Sequence, residues 1–547
     1  MECNENVRPR RTAANGPAQG ARSPAKPMKF KRLNVITIAL LLLCQASWAA
    51  SLRRGLGPEP DSLDIHQAQG LPAIHLLREI REGLFTFDAA GEVAAGVAGA
   101  WTVLEDGRLW RFELRENARW SNGDPVLAED FVRGWRRALA PGTAARNAKL
   151  LTLIEHGQDV LSGASDAGML GVTATGSHGL ELRLSEPTPW LPEILAHPVS
   201  FPLHPQGVDD PAGGPVNGAF MIARMTPQAL IALVPNPHFH SAAEVRLDSV
   251  EFYPIADPAA ELSRYRAGEL DITENIPPGR YAWLQENHGP DLRVSAYLGS
   301  FWLGLNLSRE PFSGKAALRQ ALSLAIDRET LVRVVLGAGE LSAWSIVPPG
   351  LEGHQPWRPA MANLSHEERE AEARRLFAQS GHAPGTPLRI ELRYNSSSQH
   401  RRMAIAVAAM WKQVLGVATE LINEEWKVFV NNRQQRVLTQ VFRGGWIADY
   451  ADPASFLDLF HSGEALNWSA YANPQYDQLL EQARQQSGAR RMALLQQAEV
   501  VLMRDMPVIP LYYYVSRHLV RPGVEGYIDN LRDIHLSRYM DISEPRP

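Results

Sequence analysis

The chain has 547 residues, of which 45% are hydrophobic and 21% charged, and its formal net charge is −5. That length supports more than one packed lobe, and the composition is that of a globular protein. A small negative charge without a basic stripe argues against a nucleic-acid partner.

Met1 to Pro27 is rich in Arg, Ala, Pro, Gly and Asn, a disordered composition, and reads as a mis-assigned extension before a true start at Met28. Lys29, Lys31 and Arg32 then form a positive segment, Leu33 to Leu43 an apolar run, and Ser47 and Ala49 a small-residue cleavage pattern. Residues 28–49 are therefore expected to be a secretory signal peptide cut after Ala49. The apolar run is too short for a membrane span of about 20 residues, although an uncleaved anchor is the bland alternative. Cys3 and Cys44, the two cysteines, both precede the cut, so a mature chain would carry no disulfide and no thiolate metal site. Leu43 stands before Cys44, where a lipidated cysteine takes a small residue, which favours a soluble exported product over a lipid-anchored one.

Further along, Trp110 to Leu114 alternates with period two and predicts a strand. Asp124-Pro125 marks a turn, and Ala128 to Leu139 predicts a helix with Phe131, Val132, Trp135 and Leu139 on one face. The Pro- and Gly-rich segments His204 to Pro215 and Val347 to Pro359 read as surface loops. Lys315 to Val335 reads as amphipathic helix. Ser365 and Glu368 form a capping box for a helix through Phe377, closed by Gly381. Asn473-Pro474 caps a helix carrying Leu479, Leu480 and Ala483. The mixture is α/β or α+β in several lobes, without a short repeat.

No phosphate-binding Gly loop and no nucleophile elbow is present, and His366-Glu367 lacks the second histidine of a zinc helix. No catalytic residue, metal or cofactor is expected. The sixteen histidines are dispersed and read as solvated or satisfied in the core.

Several blocks in order carry a resemblance. They are Gly96 to Trp101, Phe112 to Val132 (with Trp-Ser-Asn-Gly-Asp-Pro), Val216 to Phe220, Arg264 to Asp271, Leu318 to Asp327, Glu425 to Phe429, Gly445 to Phe456 (Gly-Trp-Ile-Ala-Asp-Tyr) and Tyr512 to Val515. The chain resembles the bacterial extracellular solute-binding proteins of the peptide/nickel family (family 5), and within it the oligopeptide binders. The resemblance implies an α/β fold of the periplasmic-binding-protein type II class, with two lobes closing about a hinge plus a third, smaller lobe. The expected lobes are a discontinuous first one over 50–82, 204–308 and 516–547, a small second one over 83–203, and a third over 309–515. It also implies a monomeric periplasmic receptor that is not an enzyme. That receptor would take short peptides and serve an inner-membrane ABC permease with ATPase subunits. A receptor for murein-derived peptides is the alternative; dipeptide or nickel-chelate binding is less favoured.

A peptide enclosed by closing lobes needs a carboxylate for its ammonium and a cation for its carboxylate. The resemblance puts Asp449 at the ammonium, within Gly445, Trp446 and Ile447, against a bare reading as helix cap or internal ion pair. It puts Arg433, Arg443 and His400 toward the ligand carboxylate, with structural pairing as the alternative for the arginines. Trp426 and Trp446 match side-chain pocket walls, with core packing as the alternative. Gln69 and Leu71 match the segment just before a strand expected to pair with peptide backbone. Glu274 and Asn147 stand where the family carries cleft tyrosines, Trp302 replaces a third, and Leu336 stands where a lysine meets longer peptides. Together these departures imply tri- to tetrapeptides, with a basic group set against Glu274.

Overall fold

A computed structural model describes residues 50–210, 212–382 and 388–543; the extension and signal peptide expected over 1–49 lie outside the described residues. No described helix is long and apolar enough to cross a membrane. The described strands form a six-stranded sheet, two four-stranded sheets and two two-stranded pairs.

One four-stranded sheet has the order Ser51–Gly55, Ser249–Tyr253, Leu230–Pro235, Phe220–Thr226. Its first pair is parallel and the others antiparallel, so the N-terminal strand is completed by a segment from mid-chain. Helix Leu71–Ile80 covers this sheet, burying Ala73, Leu76, Leu77 and Ile80 with Leu52, Phe220, Leu233 and Val250.

The other four-stranded sheet, Ala98–Leu104, Leu109–Leu114, Gly179–Arg183, Val172–Ala174, is antiparallel throughout. The expected strand is Leu109–Leu114, with Trp110, Phe112 and Leu114 turned inward as period two requires. The helix Ala128–Leu139 has the bounds its periodicity indicates and buries Phe131, Val132, Trp135 and Leu139. Asp130 at its start accepts from Leu127 N and from Trp120 Nε1, both at 3.0 Å.

The six-stranded sheet runs Leu341–Ser342, Val508–Leu519, Leu292–Leu305, Val441–Ile447, Arg389–Asn395, Ala418–Glu424. Its two long strands, Leu292–Leu305 and Val508–Leu519, pair antiparallel from Leu292 opposite Leu519 to Gly304 opposite Val508. At one end they meet the neighbourhood of the N-terminal sheet, where Thr273 N donates to Leu519 O at 3.0 Å and Ile272 bridges to both Arg54 and Val520. At the other they are the middle of the large sheet. Their register shifts between Ala296 and Ser300, so the ladder is interrupted where the pair passes from one region to the other.

The region Lys315 to Val335 is helical as expected, in three pieces: Ala316–Leu324, Arg328–Thr330 and a π-helical turn, Leu331–Leu336. The break is polar: Asp327 caps the second piece through Thr330 N, and the enclosed Arg328 guanidinium donates to the carbonyls of Ser323, Ala343 and Pro510. The segment from Val347 to Pro359 is an irregular loop with Gly350, Glu352, Gly353, Gln355 and Arg358 exposed, anchored inward by the buried Val347, Leu351 and His354. Glu499 holds it from beneath, accepting from His354 Nε2 at 2.9 Å and Trp357 N at 3.2 Å. The other two helices agree with their caps. His366–Gln379 has both capping-box bonds, and Pro474–Arg484 is capped by Asn473.

Candidate functional site

The site is built on the strand Val441–Ile447. It pairs with Leu292–Leu305 from Leu305 opposite Val441 to Gly299 opposite Ile447, and Ala448 N continues the ladder by donating to Leu298 O at 2.8 Å. Alternation puts Arg443, Gly445 and Ile447 on one face. Gly444 and Trp446 point to the other, toward the core. A side chain at Gly444 would stand 2.2 Å from Trp302 Nε1, and Trp302 is buried to 1% exposure beside Phe460. Trp302 is therefore a core residue packed on a glycine. The ligand-wall role expected for it is corrected, because its ring lies on the inner side of the strand.

On the outer face, Gly445 leaves open the space that Arg443 and Tyr514 use. A Cβ there would be 2.9 Å from Tyr514 Oη and 3.5 Å from an Arg443 terminal nitrogen. Arg443 Nη2 donates to Tyr514 Oη at 3.4 Å, and its guanidinium lies 5.2 Å from the Phe301 ring centroid. No carboxylate pairs with Arg443 among the described residues. Arg433 is buried and likewise has no carboxylate partner among the described residues; its guanidinium stacks 3.4 Å from the Trp468 ring centroid and 5.2 Å from that of Phe429. Burial and the neighbouring Arg443 lower it to about 9, so it is still charged at neutral pH. His400 contacts the Phe301 ring, and burial together with Arg443 holds it down at about 4. His400 is thus neutral at ordinary pH beside Arg443, not a further cation.

Asp449 follows the strand. Its main-chain N donates to Ser455 Oγ at 3.1 Å, and Trp446 Nε1 donates to the same oxygen at 3.3 Å. Ser455, in the helix Ala454–Leu457, thereby fixes both the loop and the tryptophan. The Asp449 side chain is exposed and has no ion pair among the described residues. Surrounding protein nevertheless thins its water, and burial raises its carboxyl above the ordinary value. The helix-cap and internal-pair readings belong instead to Asp452, which accepts from Ala454 N and pairs with Arg491. Trp426 and Ile447 add exposed apolar surface, at 49% and 50%. Trp426 opens the helix Trp426–Gln435, which Glu425 caps.

The remaining expected residues lie elsewhere. Gln69 is exposed, its N donating to Asp61 Oδ2 at 3.0 Å, and Leu71 is 52% exposed. Gln69 precedes, and Leu71 begins, a helix rather than the expected strand, because Gly70-Leu71-Pro72 opens the amphipathic run Leu71–Ile80. Asn147 Nδ2 donates to Ala68 O at 3.1 Å and so braces this segment. Leu336 is buried in the core of the large-sheet region. Glu274 lies in a small enclosed cavity, 3.6 Å from His75 Nδ1, and burial pushes its carboxyl up to about 7.

That cavity also holds His518, Asp533 and His535, whose donor atoms lie within 4.8 Å of one another. This group could hold a metal, but protons already satisfy it. His518 Nδ1 donates to Thr273 O at 2.9 Å and Nε2 to Asp533 Oδ1 at 2.8 Å, so both nitrogens carry hydrogen. Burial alone would oppose that charge; Asp533 overrides it and raises His518 to about 9. Sequence reasoning missed Tyr514. Tyr514 shares a strand face with Tyr512 inside an already recognised block, so alternation could have found it.

The chain belongs to the bacterial extracellular solute-binding proteins, family 5, whose pattern matches residues 92–468. Its fold is the mixed α/β fold of the type II periplasmic binding proteins. It is 36% identical over 501 residues to the periplasmic murein peptide-binding protein MppA of Escherichia coli, covering 90% of this chain and 93% of that one. To the periplasmic oligopeptide-binding protein OppA of Salmonella typhimurium it is 36% identical over 488 residues, covering 87% and 89%. Among solved structures, the unliganded open form of the murein tripeptide-binding protein MppA superposes with a TM-score of 0.84 at 36% identity, over 91% of this chain and 98% of that one. A second structure of the Escherichia coli protein gives 0.73 at the same identity, over 91% and 99%.

Proposed function

We propose that the protein captures short peptides in the periplasm and passes them to an inner-membrane ABC permease driven by ATPase subunits. The observation that carries this reading is the unpaired Asp449 carboxylate, placed along one strand from the unpaired guanidinium of Arg443. The two charges suit the two ends of a zwitterion. Spacing supports a length. Arg443 reaches over Gly445, and Gly445 to Asp449 is about 13 Å at roughly 3.3 Å per residue. An extended peptide of three or four residues spans roughly 10–14 Å. The exposed Trp426 and Ile447 give side-chain contact without a shaped pocket, which suits a varied cargo. The protein acts as a monomer and performs no chemistry on the peptide.

Lobe closure is the other half of this reading. The first lobe comprises 50–82, 204–308 and 516–547, the second 83–203, and the third 309–515. Two long strands cross between the first and third with a broken register, and such a break can absorb a hinge rotation. Superposition on an unliganded open form at a TM-score of 0.84 supports an open cleft here.

Calorimetry with trialanine and N-acetyl-trialanine tests the assignment. Trialanine is expected to bind and to be recovered intact by mass spectrometry, while the acetylated peptide, lacking the ammonium, loses more than tenfold in affinity. Equal affinity for the two would remove Asp449 from the ammonium role, and cleavage of trialanine would make the protein an enzyme.

A further inference from the structure

We propose that Trp190 and Glu193, carried by the region of the antiparallel four-stranded sheet, are positioning residues for peptide capture: they hold the loop that presents Asp449 to the peptide ammonium. This rests on the peptide reading above and adds to it two residues from a part of the chain that does not carry the site.

Both residues stand on a fixed base. Leu191 and Ile194 of the short helix Leu191–Ile194 are buried in one core with Phe131, Trp135 and Leu182, and Trp190 packs against the same core. From this base the two side chains reach the segment that follows Asp449. The Trp190 ring lies flat against Tyr450, with centroids 4.9 Å apart and planes 6° apart. Glu193 Oε2 accepts from Ala451 N at 2.7 Å. Asp452 comes next and pairs with Arg491, whose guanidinium stands 5.1 Å from the Trp190 ring centroid. Three consecutive residues after Asp449 are thus held by Trp190 and Glu193, directly or through one neighbour.

Glu193 is itself fixed. Arg532 Nη2 donates to Glu193 Oε1 at 3.0 Å, and Arg532 Nη1 donates to Gly91 O at 2.8 Å and to Glu92 Oε2 at 2.9 Å. Beside Arg532, Leu531 O accepts from Leu298 N at 3.0 Å, and Leu298 O accepts from Ala448 N at 2.8 Å. These contacts close a ring: Glu193, Arg532, Leu531, Leu298, Ala448, and back along the loop through Asp449 to Ala451. Leu298 lies where the register of the two long strands shifts, between Ala296 and Ser300. The ring therefore sits at the break itself, and the loop keeps its hold through a rotation there.

The Asp449 carboxylate stands outside this ring of contacts. Its main-chain N is held by Ser455 Oγ and its neighbours are held on both sides, whereas the carboxylate has no ion pair among the described residues. A carboxylate that must meet a desolvated ammonium gains from a main chain that is already in place, because less order is lost when the peptide arrives. A loop released from Trp190 and Glu193 would carry the same charge over many positions. The ammonium would then lose its partner, while the remainder of the peptide would not.

The test is calorimetry of the full exported protein with trialanine and N-acetyl-trialanine, beside a thermal melt of each variant. Glu193→Ala and Trp190→Ala are each expected to weaken trialanine about tenfold, or about 1.4 kcal/mol, and to leave N-acetyl-trialanine unchanged. Glu193→Gln, whose amide oxygen can still accept from Ala451 N, and Trp190→Phe, which keeps a flat ring, are expected to retain most of the trialanine affinity. In an Asp449→Ala background, Glu193→Ala is expected to cause no further loss. If one alanine variant does not fold, the other and Trp190→Leu carry the same comparison. Unchanged trialanine affinity in these variants, equal weakening of both peptides, or a loss that adds to that of Asp449→Ala would overturn the inference while leaving peptide binding in place. Conservative variants as weak as the alanine ones would overturn it too. Failure of the wild type to bind trialanine would count against the peptide reading itself, and this inference would fall with it.

Discussion

Asp449 is exposed, and its carboxylate has no ion pair among the described residues. Neighbouring Asp452 is spent on Arg491 and the turn at Ala454, so two acids three residues apart have opposite fates. Asp449→Ala should leave the melting temperature nearly unchanged, because no ion pair is lost, and lower peptide affinity by more than tenfold. The size follows from truncating one member of a charge pair that closure desolvates, about 2–5 kcal/mol; calorimetry beside a thermal melt checks both halves. Gly444 makes the converse prediction. Gly444→Ala adds a methyl 2.2 Å from the indole of a buried tryptophan that has no room to move. Overpacking of this kind costs about 1–3 kcal/mol, so urea denaturation should show a destabilised variant. At this scale the motif located the segment that carries Arg443 and Asp449, and both side chains stand without an ion pair among the described residues. The sequence misled at Trp302, whose identity as an aromatic does not say which strand face it occupies.

Among the elements, those with local signals could be read directly. Ser365 and Glu368 satisfy each other's main-chain donors, and Phe131, Val132, Trp135 and Leu139 mark one helical face whatever surrounds it. Elements decided by distant partners could not be read. Arg328 sits between two helical pieces and donates to the carbonyls of Ala343 and Pro510, and Glu499 anchors an irregular Pro- and Gly-rich loop through His354. The C-terminal end of the long strand Val508–Leu519 carries another such long-range bond, His518 to Asp533. His518 is raised to about 9 from an ordinary 6.5, so the folded protein holds this proton more tightly than the unfolded chain. Its stabilisation is complete below about pH 6.5 and is lost as pH rises toward 9. Thermal melts should therefore show the wild type losing stability over that window. His518→Gln should melt lower at pH 6.5 and lose less on going to pH 9; parallel slopes for the two proteins would contradict the pairing.

For the whole molecule, the broken register of the two long strands and the likeness to an open form bear on the same event. Trialanine is expected to lower the radius of gyration measured by small-angle scattering, and Asp449→Ala should need at least tenfold more peptide for the same change. Saturating peptide with no contraction would remove closure from the mechanism. The division into regions around separate sheets is only partly legible from sequence. The N-terminal strand Ser51–Gly55 finds its parallel partner about 200 residues away in Ser249–Tyr253, and no local pattern announces such a pairing. The most direct measurement of peptide capture is native mass spectrometry of the protein released gently from the periplasm. The expected spectrum contains the mature chain with bound masses that dissociate as intact tri- and tetrapeptides, and these masses are absent from Asp449→Ala. A chain that comes out empty, and stays empty after incubation with a mixed peptide pool, would contradict it.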